Sequence, residues 1–419
     1  TGNNLISARS PLGFITTYTY DLANTNNGLM TAATKPAGNQ PFTQTFDAQG
    51  RVATQTEAGS NVWSLNFASL TTTVTNPAGN AVQDVHTATG ELASYKDEAG
   101  QTLPLGSNAK GQRSLVTDRL GNSTGIAYHA PSGKPAALTN ADGTVTLMSY
   151  APRTNGGVVF YDLNQVSYPD GAAESFSYDN NGNLKTRIDR AGQLWGFGYN
   201  ARGQVLTATN PLGGVVTFTY GADGMLASQK DSDTGLSQFQ YDSLKRLTNV
   251  INPDGTTVRA AYDADNRLVS VTDERGGLTQ LTYDVNNRLA NITDALGQSV
   301  QFAYDQANRL VRAIDRLGQA AGTAYDQFSH VATVTNRNGN VTRYAYDARQ
   351  RLDAVTDPGN QIWSFDYDAE GRLSAAANPL NQTNRLGRDQ LGYPTAATNA
   401  LGQSARVVRD GLRRVKQAI

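Results

Sequence analysis

The chain contains no cysteine, so disulfides, thiolate metal sites and a cysteine nucleophile are excluded. It has three histidines, His86, His129 and His330, spaced far apart, and three methionines in 419 residues. There is no excess of either charge: 35 basic against 36 acidic side chains give a formal net charge of −1. Such balance lacks the basic face of a nucleic-acid binder and the strong single-sign charge of a disordered tail. No apolar run approaches the ~18 residues a membrane-spanning helix needs, and no stripe of period 3.6 with caps marks a long helix. Glycine (41) and tyrosine (19), by contrast, are abundant. The chain opens on Thr1 with no signal-like segment, and reads as a piece of a longer polypeptide.

The glycines and tyrosines are periodic. Tyr178, Tyr199, Tyr220, Tyr241, Tyr262, Tyr283, Tyr304, Tyr325, Tyr346 and Tyr367 are each separated by 21 residues, and eight of the ten precede an aspartate. An aliphatic column follows six residues later, including Leu247, Leu268, Leu289 and Leu310. Five residues beyond that column stands Asp or Asn, and three further on a glycine, as at Gly255, Gly276, Gly297 and Gly318. Residues 1–166 are a looser version, with glycine turns at Gly38, Gly59, Gly79, Gly100, Gly121 and Gly143 and an insertion near 150–166. Residues 167–419 are regular, and the register persists at Arg388-Asp389 and Arg409-Asp410. One continuous array fills the chain.

Each period holds two turn signals. One is Asp/Asn-x-x-Gly, as in Asp294 to Gly297; the other follows the tyrosine, as in Tyr178-Asp-Asn-Asn-Gly182. Asp and Asn initiate turns by bonding nearby backbone, and glycine supplies positive φ. Between the turns, segments such as Val300-Gln-Phe302-Ala-Tyr304 alternate with period two, which is strand patterning with one face buried. The array is therefore an all-β meander of antiparallel hairpins, nearly forty strands long. At ~4.8 Å per strand its path is roughly 190 Å, and strand twist forces so wide a sheet to curl or spiral.

These motifs resemble the RHS or YD repeat. Clear copies are Tyr262-Asp-Ala-Asp-Asn-Arg267-Leu268 and Tyr304-Asp-Gln-Ala-Asn-Arg309-Leu310. The resemblance implies a strip that spirals into part of a hollow shell. It further implies a bacterial, secreted or cell-surface setting, and a C-terminal effector or toxin domain of the same longer chain as the enclosed partner. Toxin-complex or secretion-system components are further implied partners. Asp357-Pro358-Gly359-Asn360 occupies an ordinary repeat turn and is not the closing motif of the family's toxins, so the shell role alone carries over.

Every candidate site has a structural counterpart reading. A tyrosine column could stack on a ligand, but Trp195, Trp363 and Trp63 share its phase, four residues before Tyr199, Tyr367 and Phe67, which favours a packed face with each tyrosine hydroxyl satisfied at its edge. The pairs Asp231/Asp233 and Asp263/Asp265 invite calcium, yet Asn replaces Asp in the turn column at five units, so turn formation is preferred. Carboxylates that form the pattern itself make a poor catalytic constellation, which needs a unique arrangement. Arg246, Arg267, Arg288, Arg309, Arg351 and Arg372 could bind anionic glycans, but an aspartate lies close to each. The expectation is a non-enzymatic scaffold without cofactor or metal; the alternative is an adhesin presenting the strip to glycans or receptors.

Overall fold

The computed structural model describes residues 4–21, 28–57, 61–231, 233–389, 392–409 and 415–419. Gly59 and Asp410 lie outside them. Among the described residues there are 39 strands and no helix, joined in one sheet. Each strand pairs antiparallel with its chain neighbours, from Ser7–Arg9 against Ile15–Asp21 to Ser404–Arg409 against Val415–Ala418. The meander is therefore continuous through the looser and the regular repeats. At the insertion, Val145–Asn155 and Val158–Ser167 form one long hairpin turning at Gly156 and Gly157.

A regular unit shows how the sequence builds this. Leu278–Tyr283 runs to one edge of the strip and Leu289–Thr293 returns to the other. Between them Asp284 Oδ1 accepts the backbone N–H groups of Asn286 and Arg288 (2.9 and 3.0 Å), and the N–H of Asn287 donates to the Asp284 carbonyl. The fourth turn residue is left-handed (Asn287, φ 65°), and the ladder shifts by one residue at Thr282/Tyr283. This is a type I turn closed by a bulge, which suits glycine or asparagine. The opposite edge carries the Asp/Asn-x-x-Gly turns, such as Asp294 with Gly297 (φ 77°). Asp357 to Asn360 is one of these, with Asn360 at φ 60° in the glycine position. We call the two edges the tyrosine rim and the glycine rim.

Gln350 occupies the left-handed turn position at φ 63° without asparagine's local compensation. Gln350→Gly is expected to be neutral or stabilising by up to about 1 kcal/mol, and Gln350→Val to destabilise by roughly 1–3 kcal/mol. The shift in denaturation midpoint of each variant measures this.

The faces alternate as the period-two pattern requires. Thr217, Gln238, Arg259, Gln280, Gln301 and Arg343 are exposed, while the ten tyrosines stand on the other face. That face is not a buried core: the tyrosines and Trp63, Trp195 and Trp363 are half-buried. Among the described residues the buried apolar side chains are Ala32, Ala33 and Ala375. The physical reason is that the sheet is a single layer, with no second layer packed on it. The chain exposes 24382 Å², whereas a compact protein of its mass would expose about 15,600 Å².

What packs instead is unit on unit. The Tyr283 hydroxyl donates to the carbonyl of Leu268 at 2.8 Å, and the same bond joins Tyr262 to Leu247, Tyr304 to Leu289 and Tyr325 to Leu310. The Arg267 guanidinium lies 4.7 Å from the Tyr283 ring centre while its Nε holds Asp263 Oδ2 at 2.7 Å. The aliphatic column thus offers its carbonyl to the next tyrosine, and the arginine beside it covers that tyrosine's ring.

Candidate functional site

The feature that sequence columns do not reveal is a seam. The glycine rim near the start of the chain meets the tyrosine rim far downstream. The N–H of Leu12 donates to Asp265 Oδ1 at 3.0 Å, 253 residues away. The N–H of Ala37 donates to Asn286 Oδ1 at 3.1 Å, 249 residues away. Asn39 and Asn61 donate to the carbonyls of Gln306 and Gln327 (3.0 and 2.7 Å), and the N–H of Arg119 donates to Glu370 Oε1. The separations cluster near twelve periods of 21. The strip therefore winds on itself with about twelve units per coil, and the described chain makes about one and two-thirds coils. Twenty-four strands at ~4.8 Å give a perimeter of roughly 115 Å, hence a coil about 37 Å across between backbones.

Asp97 is the centre of the seam, and its side chain is wholly buried. Its Oδ1 accepts the N–H groups of Ala99 and Gln101 (3.0 and 2.9 Å), which forms its own turn. Its Oδ2 takes Arg119 Nε at 2.8 Å from the neighbouring glycine-rim turn and Arg349 Nη2 at 3.0 Å from the coil beyond. Burial pushes the carboxyl up, but the hydrogen bonds from Arg119 and Gln101 and the charge of Arg349 overcome this and hold it below its ordinary value. A lowered carboxylate contributes its full stability above its unfolded value of about 3.9 and loses it as pH falls through the lowered one. Protection from hydrogen exchange at residues 97–101, taken relative to the unstructured-peptide rate at each pH, is therefore expected to hold from neutrality to about pH 4 and to fall below it. Asp97→Asn should flatten that dependence.

The other residues singled out from sequence fall as follows. Gly255, Gly276, Gly297 and Gly318 take positive φ at glycine-rim turns. Leu247, Leu268, Leu289 and Leu310 open the strands that leave the tyrosine rim. Asp263 spends its Oδ1 on the N–H groups of Asp265 and Arg267 and its Oδ2 on Arg267; Asp231 Oδ1 accepts from Asp233 N–H. Both are turn formers by geometry. Arg246, Arg267, Arg288, Arg309, Arg351 and Arg372 each pair with the aspartate four residues earlier at 2.6–2.8 Å. His330 fills the arginine position of its unit, bonding Asp326 at 3.1 Å and stacking on Tyr346. His129 instead sits beside the long hairpin, between the rings of Tyr150 and Tyr161, with Ser132 at 2.8 Å from Nδ1. Among the described residues no three His, Asp or Glu side chains are grouped to hold a metal. A cavity of about 520 Å³ opens at the seam beside Gly38, Glu57, Asn286 and Tyr304.

Sequence reasoning missed Asp97, Arg119, Arg349, Asp265, Asn286 and Glu370 as a group. Their contact depends on how many units close a coil, which is set by sheet curvature and leaves no mark at the 21-residue period.

Comparison with known proteins agrees with this architecture. The RHS Repeat family model matches residues 199–236, 220–257, 241–278, 262–293, 283–320 and 325–362. No curated protein matches the sequence. Among solved structures, TcdB2-TccC3-Cdc42 superposes with a TM-score of 0.66 at 13% identity, covering 91% of this chain and 26% of that one. TcdB2-TccC3 gives 0.60 at 14% identity, covering 99% and 29%. A third structure, TcdB2-TccC3-TEV, gives 0.57 at 13%, covering 98% and 26%. The chain thus spans about a quarter of the length of these neighbours, and at such identity the likeness is one of fold. The RHS Repeat model thus matches residues 199–320 and 325–362, and over these residues the 21-residue columns and the antiparallel meander are those of RHS repeats.

Proposed function

We propose that this chain is wall material: a non-enzymatic segment of a shell that encloses and protects a polypeptide cargo, the C-terminal effector of the same longer protein, for delivery outside the cell. The observation that carries the proposal is the coil itself. A one-layer sheet wound so that successive coils hydrogen-bond along their rims, with no layer packed on either face, is organised as an enclosure and not around a core. Its fold is shared with TcdB2-TccC3 and TcdB2-TccC3-Cdc42; toxin-complex partners for this chain are proposed by that analogy.

Containment needs a wall whose polar groups are already occupied, so that cargo does not adhere. Much of the polar side-chain complement here is occupied by the strip itself: the arginine column pairs with aspartates, the tyrosine hydroxyls with carbonyls, and the turn carboxylates with backbone N–H groups. The same occupancy counts against the adhesin alternative, because the arginine ladder is not a free cationic surface. The test is protease protection of the full-length polypeptide. The segment downstream of residue 419 should resist a protease that degrades it rapidly when expressed alone, and should lose that resistance in the Asp97→Ala variant. Equal cleavage in both contexts would refute enclosure.

A further inference from the structure

We propose that the seam cavity beside Glu57 is a binding site for a primary ammonium group, with the Glu57 carboxylate as its counter-ion. The basis is a place where the repeat pattern is broken. Glu57 stands in the turn column that elsewhere holds Asp or Asn, and its N–H donates to the Asn61 carbonyl as that of Asp97 does to Gln101. At Asp97 and at Asn76 the side chain of this column is spent on the turn: Asn76 Oδ1 accepts the N–H groups of Ala78 and Asn80. In the unit that carries Trp195 the second oxygen is spent as well, since Asp189 Oδ2 accepts the indole N–H from six residues on at 3.1 Å. Trp63 stands six residues after Glu57, yet its indole nitrogen is buried without a partner. Among the described residues the Glu57 carboxylate has neither a hydrogen bond nor an ion pair.

That carboxylate lines the cavity of about 520 Å³, which is within the range of small-molecule sites. The other charges lining it are neutralised. Arg288 Nε donates to Asp284 Oδ2 at 2.7 Å, and Asp305 Oδ2 accepts from Arg309 Nε at 2.7 Å. Glu57 therefore leaves one uncompensated negative charge. Thr43, Thr56 and Gln306 add neutral side-chain oxygens that no described group occupies. One carboxylate among neutral oxygens fits an ammonium, which carries a single charge and three N–H donors. It does not fit calcium, which takes about six to eight oxygens with several carboxylates among them, and among the described residues no three His, Asp or Glu side chains gather here. The Tyr304 ring in the cavity lining offers apolar surface to the carbon chain that bears the ammonium. Seam bonds flank the cavity along the strip, Leu12 to Asp265 before it and Asn61 to Gln327 after it, so both coils are present at the site. The site is independent of any enclosed cargo.

Titration calorimetry on the 419-residue chain at neutral pH tests this with 1,5-diaminopentane, and with 1,5-pentanediol as its uncharged counterpart. The diamine should bind one to a chain with Kd below about 1 mM, and the diol at least about tenfold more weakly. Glu57→Gln should weaken the diamine by about tenfold or more and abolish its advantage over the diol, with circular dichroism unchanged. Thr56→Val keeps the charge and probes the same cavity should Glu57→Gln disturb the turn; it should weaken the diamine by about threefold. Asp353→Asn, at an exposed carboxylate outside the cavity, should leave binding unchanged. N-acetyl-lysine amide separates the sources of the ammonium: affinity equal to the diamine's supports a site for a lysine side chain, and a value about tenfold weaker supports a site for a free small amine. Diamine binding that is absent, that survives Glu57→Gln unchanged, or that the diol matches overturns the proposal. So does a loss in Asp353→Asn as large as that in Glu57→Gln.

Discussion

Asp97→Ala is expected to open the seam at its centre. The substitution removes the buried carboxylate that joins Arg119 and Arg349 across two coils, and it strands both guanidinium groups in a site with little water. Breaking one side of a buried ion pair in this way typically costs about 3–5 kcal/mol. In a coil of nearest-neighbour units the loss should remain local and not unfold the array. Amide exchange should therefore accelerate at residues 97–101 and 347–351 while distant units, such as those around Tyr262, keep their protection. Adding Arg349→Leu to Asp97→Ala should recover part of the loss by removing one stranded charge. Global unfolding, or no change in exchange at either rim, would contradict the role given to Asp97.

Tyr283→Ala should carry the second largest effect. The ring is half-buried, its hydroxyl holds the Leu268 carbonyl, and Arg267 lies over its face. Truncation loses the half-buried apolar surface, one hydrogen bond and one cation–π contact, together about 3 kcal/mol. Tyr283→Phe keeps the ring and loses only the bond, for about 1 kcal/mol. Urea unfolding monitored at the local units distinguishes the two. If alanine and phenylalanine cost the same, packing of the ring contributes nothing and the hydroxyl alone joins the units.

How much of this was legible beforehand follows from what each feature depends on. The strand Leu278–Tyr283, its bulged turn at Asp284 and the partnering of Arg267 with Asp263 are local, within a few residues, and the column pattern announces them. The polarity of the faces is legible for the same reason, since alternation is a property of one strand. The expected buried face was not what the structure shows, because burial needs a second layer and nothing in a 21-residue period reports whether one exists. The tyrosines instead find partners in the neighbouring unit and remain half-buried. Asp97 illustrates the limit best. In sequence it is one more turn aspartate before Glu98-Ala99-Gly100; its second oxygen is committed by residues 22 and 252 positions away, through curvature accumulated over two dozen strands.

The winding itself can be measured directly. The chain has no cysteine, so Ala37→Cys with Asn286→Cys introduces two unique labelling sites on facing rims. Pulsed dipolar spectroscopy between nitroxides at these positions should give a narrow distribution at the short limit of the method, because the turns are in hydrogen-bond contact across the seam. The same labels on Ala37→Cys and Ser175→Cys, about half a coil apart, should report a distance near the coil's diameter, about 37 Å. A broad distribution for the first pair, extending toward the roughly 115 Å of sheet that separates them along the strip, would show that the meander does not coil and would remove the basis for an enclosing wall.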